Sequence, residues 1–296
     1  MKITNKFNLP EVIVAAVKDD EYDRGDSVLS VTQLISSPRI VLLQELNSHN
    51  LTVDVVDRVP ALLGTAVHKI LEKGSKNIPG HIVEERLFAT INGWKISGAV
   101  DLQIENADGT WEINDYKITS VYSVMEDKIE WIQQLNCYAF LSTLVHGRNI
   151  RALKIVAVLR DWQRKQAELK PDYPQSQVVT VDIPLWTLED QGHFVHNRVR
   201  DHQEAKKLVD SGSPLPYCTD QERWLRGETW AVMKEGRKSA IKLHDQEDNA
   251  KQHAEECGSG HRVERRPGTP VRCAGNYCMV ANWCRQYQEE LGNSPS

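Results

Sequence analysis

Gly98-Ala99-Val100-Asp101, a turn at Asp108-Gly109, and Trp111-Glu112-Ile113-Asn114-Asp115-Tyr116-Lys117 form the stretch on which the reading of this chain depends. Alternate residues of a strand share a face, so Asp115 and Lys117 point the same way. Asp101 lies late in the preceding strand, and the Asp-Gly turn folds the two strands antiparallel. Two carboxylates and one ammonium thus converge beside a sheet. Hard cations such as Mg²⁺ or Mn²⁺ take oxygen ligands and keep several waters, so two carboxylates plus a substrate phosphate suit them. A lysine beside them can orient or deprotonate water and offset charge growing on phosphorus. Taken alone, the same residues would serve equally as solvated strand charges paired across a hairpin.

The flanking sequence supplies companions. Upstream, Arg86–Ile91 and Trp94–Ile104 read as strands joined by Asn92-Gly93, a strong hairpin signal. Before them, a helix from about Pro60 to Lys73 carries Leu63, Val67, Ile70 and Leu71 as a core stripe, with His68 four residues after Gly64. Ser30-Val31-Thr32-Gln33 fits a capping box. Downstream, a long helix over Glu126–Val145 sets Gln134 and Tyr138 on one face. A buried strand at Leu153–Leu159, a polar loop over Arg160–Gln177, a strand at Val178–Ile183 and a helix over Leu185–Val209 complete this part.

Composition narrows the class. Over 296 residues, Lys+Arg 36 against Asp+Glu 41 gives a net charge of −5, so no global positive charge advertises a nucleic-acid partner, although a local basic patch would suffice. No apolar run approaches the roughly 18 residues of a membrane span. The first residues lack the apolar segment of a secretory signal. The expectation is a cytoplasmic chain without a membrane partner, in which six cysteines need an account other than disulfides.

The order His68, Gly98-x-x-Asp101, Asp115-Tyr116-Lys117 and Gln134-x-x-x-Tyr138 resembles the PD-(D/E)XK nuclease superfamily in its RecB-like branch. Weaker similarity, including Leu215-Pro216-Tyr217-Cys218-Thr219 and a cysteine-rich C-terminus, extends to phage-encoded RecB-like exonucleases. The resemblance implies an α/β (α+β) fold: a restriction-endonuclease-like core with a central mixed sheet flanked by helices, plus a cysteine-rich module. It implies that Asp101, Asp115, His68 and the Tyr116 carbonyl hold Mg²⁺ or Mn²⁺, that Lys117 serves the attacking water, and that Gln134 and Tyr138 contact the phosphate backbone or a DNA end. The corresponding division is a helical lead-in over 1–58, a nuclease core over 59–210 and the module over 211–296, entered through Ser211-Gly212-Ser213-Pro214-Leu215-Pro216.

Cys273, Cys278 and Cys284 lie close together in the tail. In a reducing compartment such a group favours metal or iron–sulfur ligation. Cys218 is the expected fourth ligand of a [4Fe–4S] cluster, with Cys257 as rival, zinc as the alternative metal, and Cys137 a small core residue. The better-known iron–sulfur nucleases of this branch place one cysteine ahead of the core, and this chain has none before Cys137. For DNA contacts, Arg160, Trp162, Arg164 and Lys165 interleave cations with an aromatic ring. A hairpin over Glu235-Gly236 presents Lys234, Arg237 and Lys238. Both segments read equally as solvated surface.

The functional expectation is a metal-dependent DNA nuclease, an exonuclease acting at an end or on single strands rather than a site-specific endonuclease. Its setting would be phage recombination, repair or replication in a bacterial host's cytosol, with recombination or replication proteins as partners. The rival is a catalytically silent DNA-binding or scaffold subunit of the same fold. A structural metal-binding protein is a third reading.

Overall fold

Asn92 and Gly93 both take positive φ, 48° and 81°, as a tight two-residue hairpin requires. They join β1 (His81–Ile91) to β2 (Trp94–Glu105) in a long antiparallel ladder. The computed structural model describes residues 2–19, 25–126 and 128–292. β3 (Trp111–Thr119) pairs antiparallel with β2 over residues 102–105 and then runs parallel to β4 (Ile150–Leu159). β5 (Val178–Ile183) adds antiparallel to β4. A two-residue strand, Leu29–Ser30, lies parallel to β2 at Ile96 and Ser97, on the edge that β3 uses farther along. Among the described residues, 98–101 of β2 therefore have no strand partner on that edge. This opening in a six-stranded mixed sheet is where the chemistry collects.

α1 (Val55–Ser75) precedes the sheet, α2 (Ile129–His146) connects β3 to β4, and α3 (Leu188–Asp210) follows β5. Alternation places Leu153, Ile155, Ala157 and Leu159 of β4 in the core, beside Leu135, Ala139 and Leu141 of α2. A polar clamp fixes the C-terminal end of α2. Gln103 Nε2 donates to Glu85 at 2.6 Å, Arg148 donates to Glu85 at 2.5 Å and to Gln103 Oε1 at 2.9 Å, and Ser142 donates to Gln103 Oε1 at 2.7 Å. Burial pushes the Glu85 carboxyl up, but the Arg148 and Gln103 bonds outweigh it and hold the pKa below the ordinary carboxylate value.

Several sequence expectations need correction. α1 starts at Val55, capped by Asp54, whose carboxylate accepts from the Val56 N–H at 3.2 Å, and Pro60 sits in its second turn rather than at its start. Its supposed core stripe is not buried: Leu63 is 51% and Ile70 68% exposed. The face of α1 carrying Gly64, Thr65, His68, Lys69 and Glu72 lines a cleft, so this helix forms a wall instead of core. The long helix begins at Ile129, after a separate turn of helix at Val121–Met125. The supposed loop after β4 contains a helix at Arg164–Leu169. The capping box is present, with Ser30 Oγ accepting from Gln33 N–H and Gln33 Oε1 from Ser30 N–H.

The chain divides into two units, residues 1–38 with 48–214 and residues 39–47 with 215–296. The second holds a three-stranded antiparallel sheet of β6 (Thr229–Lys234), β7 (Lys242–His244) and β8 (His261–Arg266), with β6 central. α4 (Glu247–Glu256) packs on it. Short helices at Val271–Ala274, Ala281–Trp283 and Arg285–Gly292 carry or flank the cysteines. Among the described residues, no helix is long and apolar enough to cross a membrane.

Candidate active site

β2 and β3 separate beyond Leu102 and Asn114, and the Asp101 side chain fills the gap, accepting the Tyr116 N–H at 2.7 Å. Asp115, the next residue of β3 past the last pair, is buried. Its Oδ2 is ion-paired with Lys117 Nζ yet accepts no hydrogen bond of good geometry. His68 leans in from α1. Its Nε2 lies 3.0 Å from the Tyr116 carbonyl, and its Nδ1 lies 3.6 Å from Asp101 Oδ1 and 3.8 Å from Glu84 Oε1. On α2, Gln134 Nε2 donates to the Tyr138 hydroxyl at 2.9 Å. His68, Asp101, Asp115, Lys117, Gln134 and Tyr138 thus line one cleft of about 620 Å³.

Gly98 makes this approach feasible. A Cβ there would sit 3.0 Å from ring carbons of Tyr138, so only a bare backbone lets α2 lie so close to β2. The first Gly of the G-x-x-D motif is a packing requirement that positions Tyr138.

The electrostatics describe a site short of positive charge. Burial first, then the charge of Asp115, raise the Asp101 carboxyl to about 7, against the opposing pull of His68, Lys117 and the Tyr116 N–H. Burial pulls the His68 imidazole down, but the Glu84 contact and the charges of Asp101 and Glu84 outweigh it and leave its pKa raised. Burial and Asp115 push the Tyr138 hydroxyl well above its usual range, so it stays neutral. A divalent cation would relieve the repulsion between the two aspartates and coordinate the buried Asp115 Oδ2, which accepts no hydrogen bond. The donor set, carboxylates with one imidazole and one carbonyl, fits a hard cation.

Glu84 went unnoticed in the sequence. Its carboxylate, the His68 imidazole and Asp101 offer ligand atoms within 4.8 Å of one another. Glu84 lies in β1 opposite Asp101, where the ladder skips one pair, and its φ is 49°. A non-glycine residue in the left-handed region is uncommon in a strand and concentrates at functional sites. No sequence periodicity announces such a kink. Lys69 and Arg86 also line the cleft and were likewise missed.

The residues expected to contact DNA are not among those that line this cleft. Arg160, Arg164 and Lys165 are exposed, and Trp162 is half-buried with its Nε1 donating to the Pro174 carbonyl at 2.7 Å. In the second unit, Lys234, Arg237 and Lys238 are exposed at the β6–β7 turn.

The cysteines separate by location. Cys218, Cys273, Cys278 and Cys284 are all buried and line one chamber of the second unit, together with Arg39, Arg223 and Arg272. Gln286 clamps the Cys218 backbone on both sides, accepting its N–H at 2.8 Å and donating to its carbonyl at 3.0 Å. Burial, followed by the charges of Cys278, Cys284 and Cys218, pushes the Cys273 thiol up to about 11. Cys257 is exposed at the end of α4 and does not line the chamber. Cys137 is buried on α2 in the first unit, where desolvation pushes its thiol up to about 12.

Among known proteins, the chain matches the sequence model of the PD-(D/E)XK nuclease superfamily over residues 77–285. A search of curated proteins finds no significant match. Solved structures are similar as well, among them the following two. The crystal structure of SSO0001 is 16% identical, with a TM-score of 0.45 over 64% of this chain and 84% of that one. An alkaline exonuclease (LHK-Exo) from Laribacter hongkongensis is 15% identical, with a TM-score of 0.28 over 49% of this chain and 73% of that one.

Proposed function

Because the chain belongs to the PD-(D/E)XK nuclease superfamily, we propose that it is a metal-dependent deoxyribonuclease that hydrolyses phosphodiester bonds from DNA ends. The observation that carries this is the convergence of His68, Glu84, Asp101, Asp115 and Lys117 at the unpaired stretch of β2. Asp101, Asp115, His68 and the Tyr116 carbonyl, joined by Glu84, would hold Mg²⁺ or Mn²⁺. Such an ion supplies a water of lowered pKa and draws charge from the phosphate.

The protein's own groups do the rest. Lys117, anchored by Asp115, places its ammonium where an attacking water and a phosphate oxygen meet. It orients that water and offsets charge developing on the phosphate. Tyr138, kept neutral, and Gln134 form the opposite wall and present a hydroxyl and an amide to the backbone or the DNA end. Lys69 and Arg86 add cationic lining for phosphates. The exposed cations of 160–165 and 234–238 are proposed as further backbone contacts. The Gln134/Tyr138 pair resembles the end-processing branch of the superfamily, which favours an exonuclease; the setting in phage recombination, repair or replication rests on the resemblance to phage-encoded RecB-like exonucleases.

We further propose that Cys218, Cys273, Cys278 and Cys284 bind a [4Fe–4S] cluster. All four thiols are buried around one chamber, and the rival Cys257 is outside it. A tetrahedral zinc site with bonds of ~2.3 Å needs sulfurs about 3.8 Å apart. Among the described residues, no three of these sulfurs lie within 4.8 Å of one another, so they are not gathered at that zinc spacing.

Digestion of end-labelled linear and covalently closed circular DNA, with Mg²⁺ or with EDTA, tests the activity. Metal-dependent loss of linear DNA with circles intact is expected. Cutting of circles would replace the exonuclease with an endonuclease. Binding without any cutting would favour the silent scaffold.

A further inference from the structure

Arg39 is an arginine with 4% exposure, within the segment 39–47 that folds with the tail. Its Nε donates to Cys284 Sγ at 3.2 Å, and its Nη1 donates to the carbonyls of Leu215 and Pro216 at 2.8 and 3.0 Å. Its guanidinium lies 5.1 Å from the centre of the Tyr217 ring. Among the described residues, no carboxylate forms an ion pair with it. A cation this buried is costly unless negative charge lies close by.

Two further guanidiniums line the same chamber. Arg223 is ion-paired with Asp220 and Glu290, and Arg272 donates to the Glu222 carbonyl at 3.1 Å. The Nε atoms of both are buried without a hydrogen-bond partner among the described residues. The chamber therefore gathers three positive groups and four thiols, with Glu222 and Glu290 as its lining carboxylates. Neutral thiols leave the Arg39 charge without a paired negative charge and the Nε donors of Arg223 and Arg272 unused. Four thiolates around an iron–sulfur cubane carry net negative charge and accept N–H···S bonds, so they satisfy both.

We propose that Arg39 is a positioning residue for the thiolate-bound cluster, holding Cys284 through its Nε–H and setting the cluster's reduction potential, with Arg223 and Arg272 completing the positive shell. The inference rests on the cluster reading given above. Hydrogen bonds to the sulfurs and nearby positive charge favour the more negative, reduced cluster. Removing Arg39 should therefore lower the potential. A residue that only ties the chain to the Leu215 and Pro216 carbonyls would affect stability and leave the potential unchanged.

The test uses full-length protein prepared anaerobically, analysed for iron and sulfide, and titrated with EPR detection. Arg39→Gln is expected to lower the midpoint potential by the equivalent of at least a tenfold change in the reduction equilibrium, ~59 mV for a one-electron couple. Arg39→Lys, which keeps the charge but loses the planar fork, should fall between it and wild type. Should Arg39→Gln fail to fold, Arg39→Lys decides: with guanidino-¹⁵N-labelled arginine, pulsed EPR of the reduced cluster should show in wild type an arginine coupling that Arg39→Lys loses. An unchanged potential in Arg39→Gln at full cluster content, or no ¹⁵N coupling that Arg39→Lys loses, overturns the role of Arg39 while leaving the cluster in place. Wild type lacking iron and sulfide overturns the cluster reading, and the proposal with it.

Discussion

Gly98→Ala tests whether the closeness of α2 to the sheet builds the site. The added methyl would sit 3.0 Å from Cδ1 and Cε1 of Tyr138 and 3.1 Å from Cδ1 of Leu141. Carbon atoms prefer about 3.5–4.0 Å, so ring and helix must retreat by roughly half an ångström. Neither neighbour can swing into solvent, since Tyr138 is 5% and Leu141 1% exposed. Overpacking of this kind costs about 1–3 kcal/mol. For a unit of this size, each kcal/mol lowers Tm by about 2–4 °C. Without the clash, alanine would stabilise a strand interior by about 0.5–1 kcal/mol relative to glycine, so the sign alone is informative. Urea unfolding of Gly98→Ala, Tyr138→Ala and the double variant should give a coupling of about 1 kcal/mol or more. Cleavage should fall as well, because Gln134 moves with the Tyr138 hydroxyl. A neutral or stabilising Gly98→Ala with no coupling to Tyr138 would refute the packing argument.

Lys117→Ala should slow cleavage by roughly 10²–10³ with little loss of Mn²⁺ affinity in calorimetry, because the ammonium acts on water and phosphate; a large loss of affinity would make Lys117 structural. Glu84→Gln should weaken Mn²⁺ binding measured in the same way, and unchanged affinity would remove Glu84 from the ligand set. His202 of α3, whose Nε2 lies 3.2 Å from the Leu34 carbonyl, has its pKa lowered to about 4 by burial and then by the charge of Arg198. The unfolded chain therefore takes up this proton first as pH falls. The contribution is complete above about pH 6.5 and is lost between there and about 4, amounting to roughly 3 kcal/mol. Urea unfolding of His202→Gln should show a shallower pH dependence across that window, and an unchanged slope would contradict the assignment. Cys218→Ser should lose the iron–sulfur absorption near roughly 400 nm while Cys257→Ser keeps it, and the opposite result would exchange their roles.

The hairpins at Asn92-Gly93 and Asp108-Gly109, and with them the meeting of Asp101, Asp115 and Lys117, were legible because turn chemistry and strand alternation are local properties. His68, Gln134 and Tyr138 came from motif order, and the structure places all three at the same cleft. The face of α1 was misread for a physical reason. A helix that walls a cleft keeps apolar residues half-exposed, so Leu63 and Ile70 imitate a core stripe. Glu84 depends on a kink in β1 and on a skipped pair opposite Asp101 in β2, neither of which leaves a periodic trace. Arg39 is 245 positions from the sulfur it touches, a distance no local pattern spans.

The central claim is that metal-dependent phosphodiester hydrolysis takes place at the opening between β2 and β3. Single-turnover cleavage of end-labelled linear DNA by Asp115→Asn, at saturating Mn²⁺ and beside wild type, tests it most directly. The substitution keeps the shape of a buried side chain and removes its charge. Cleavage should be abolished while thermal unfolding and DNA binding stay close to wild type. Cleavage by Asp115→Asn at the wild-type rate would place the chemistry elsewhere in the chain.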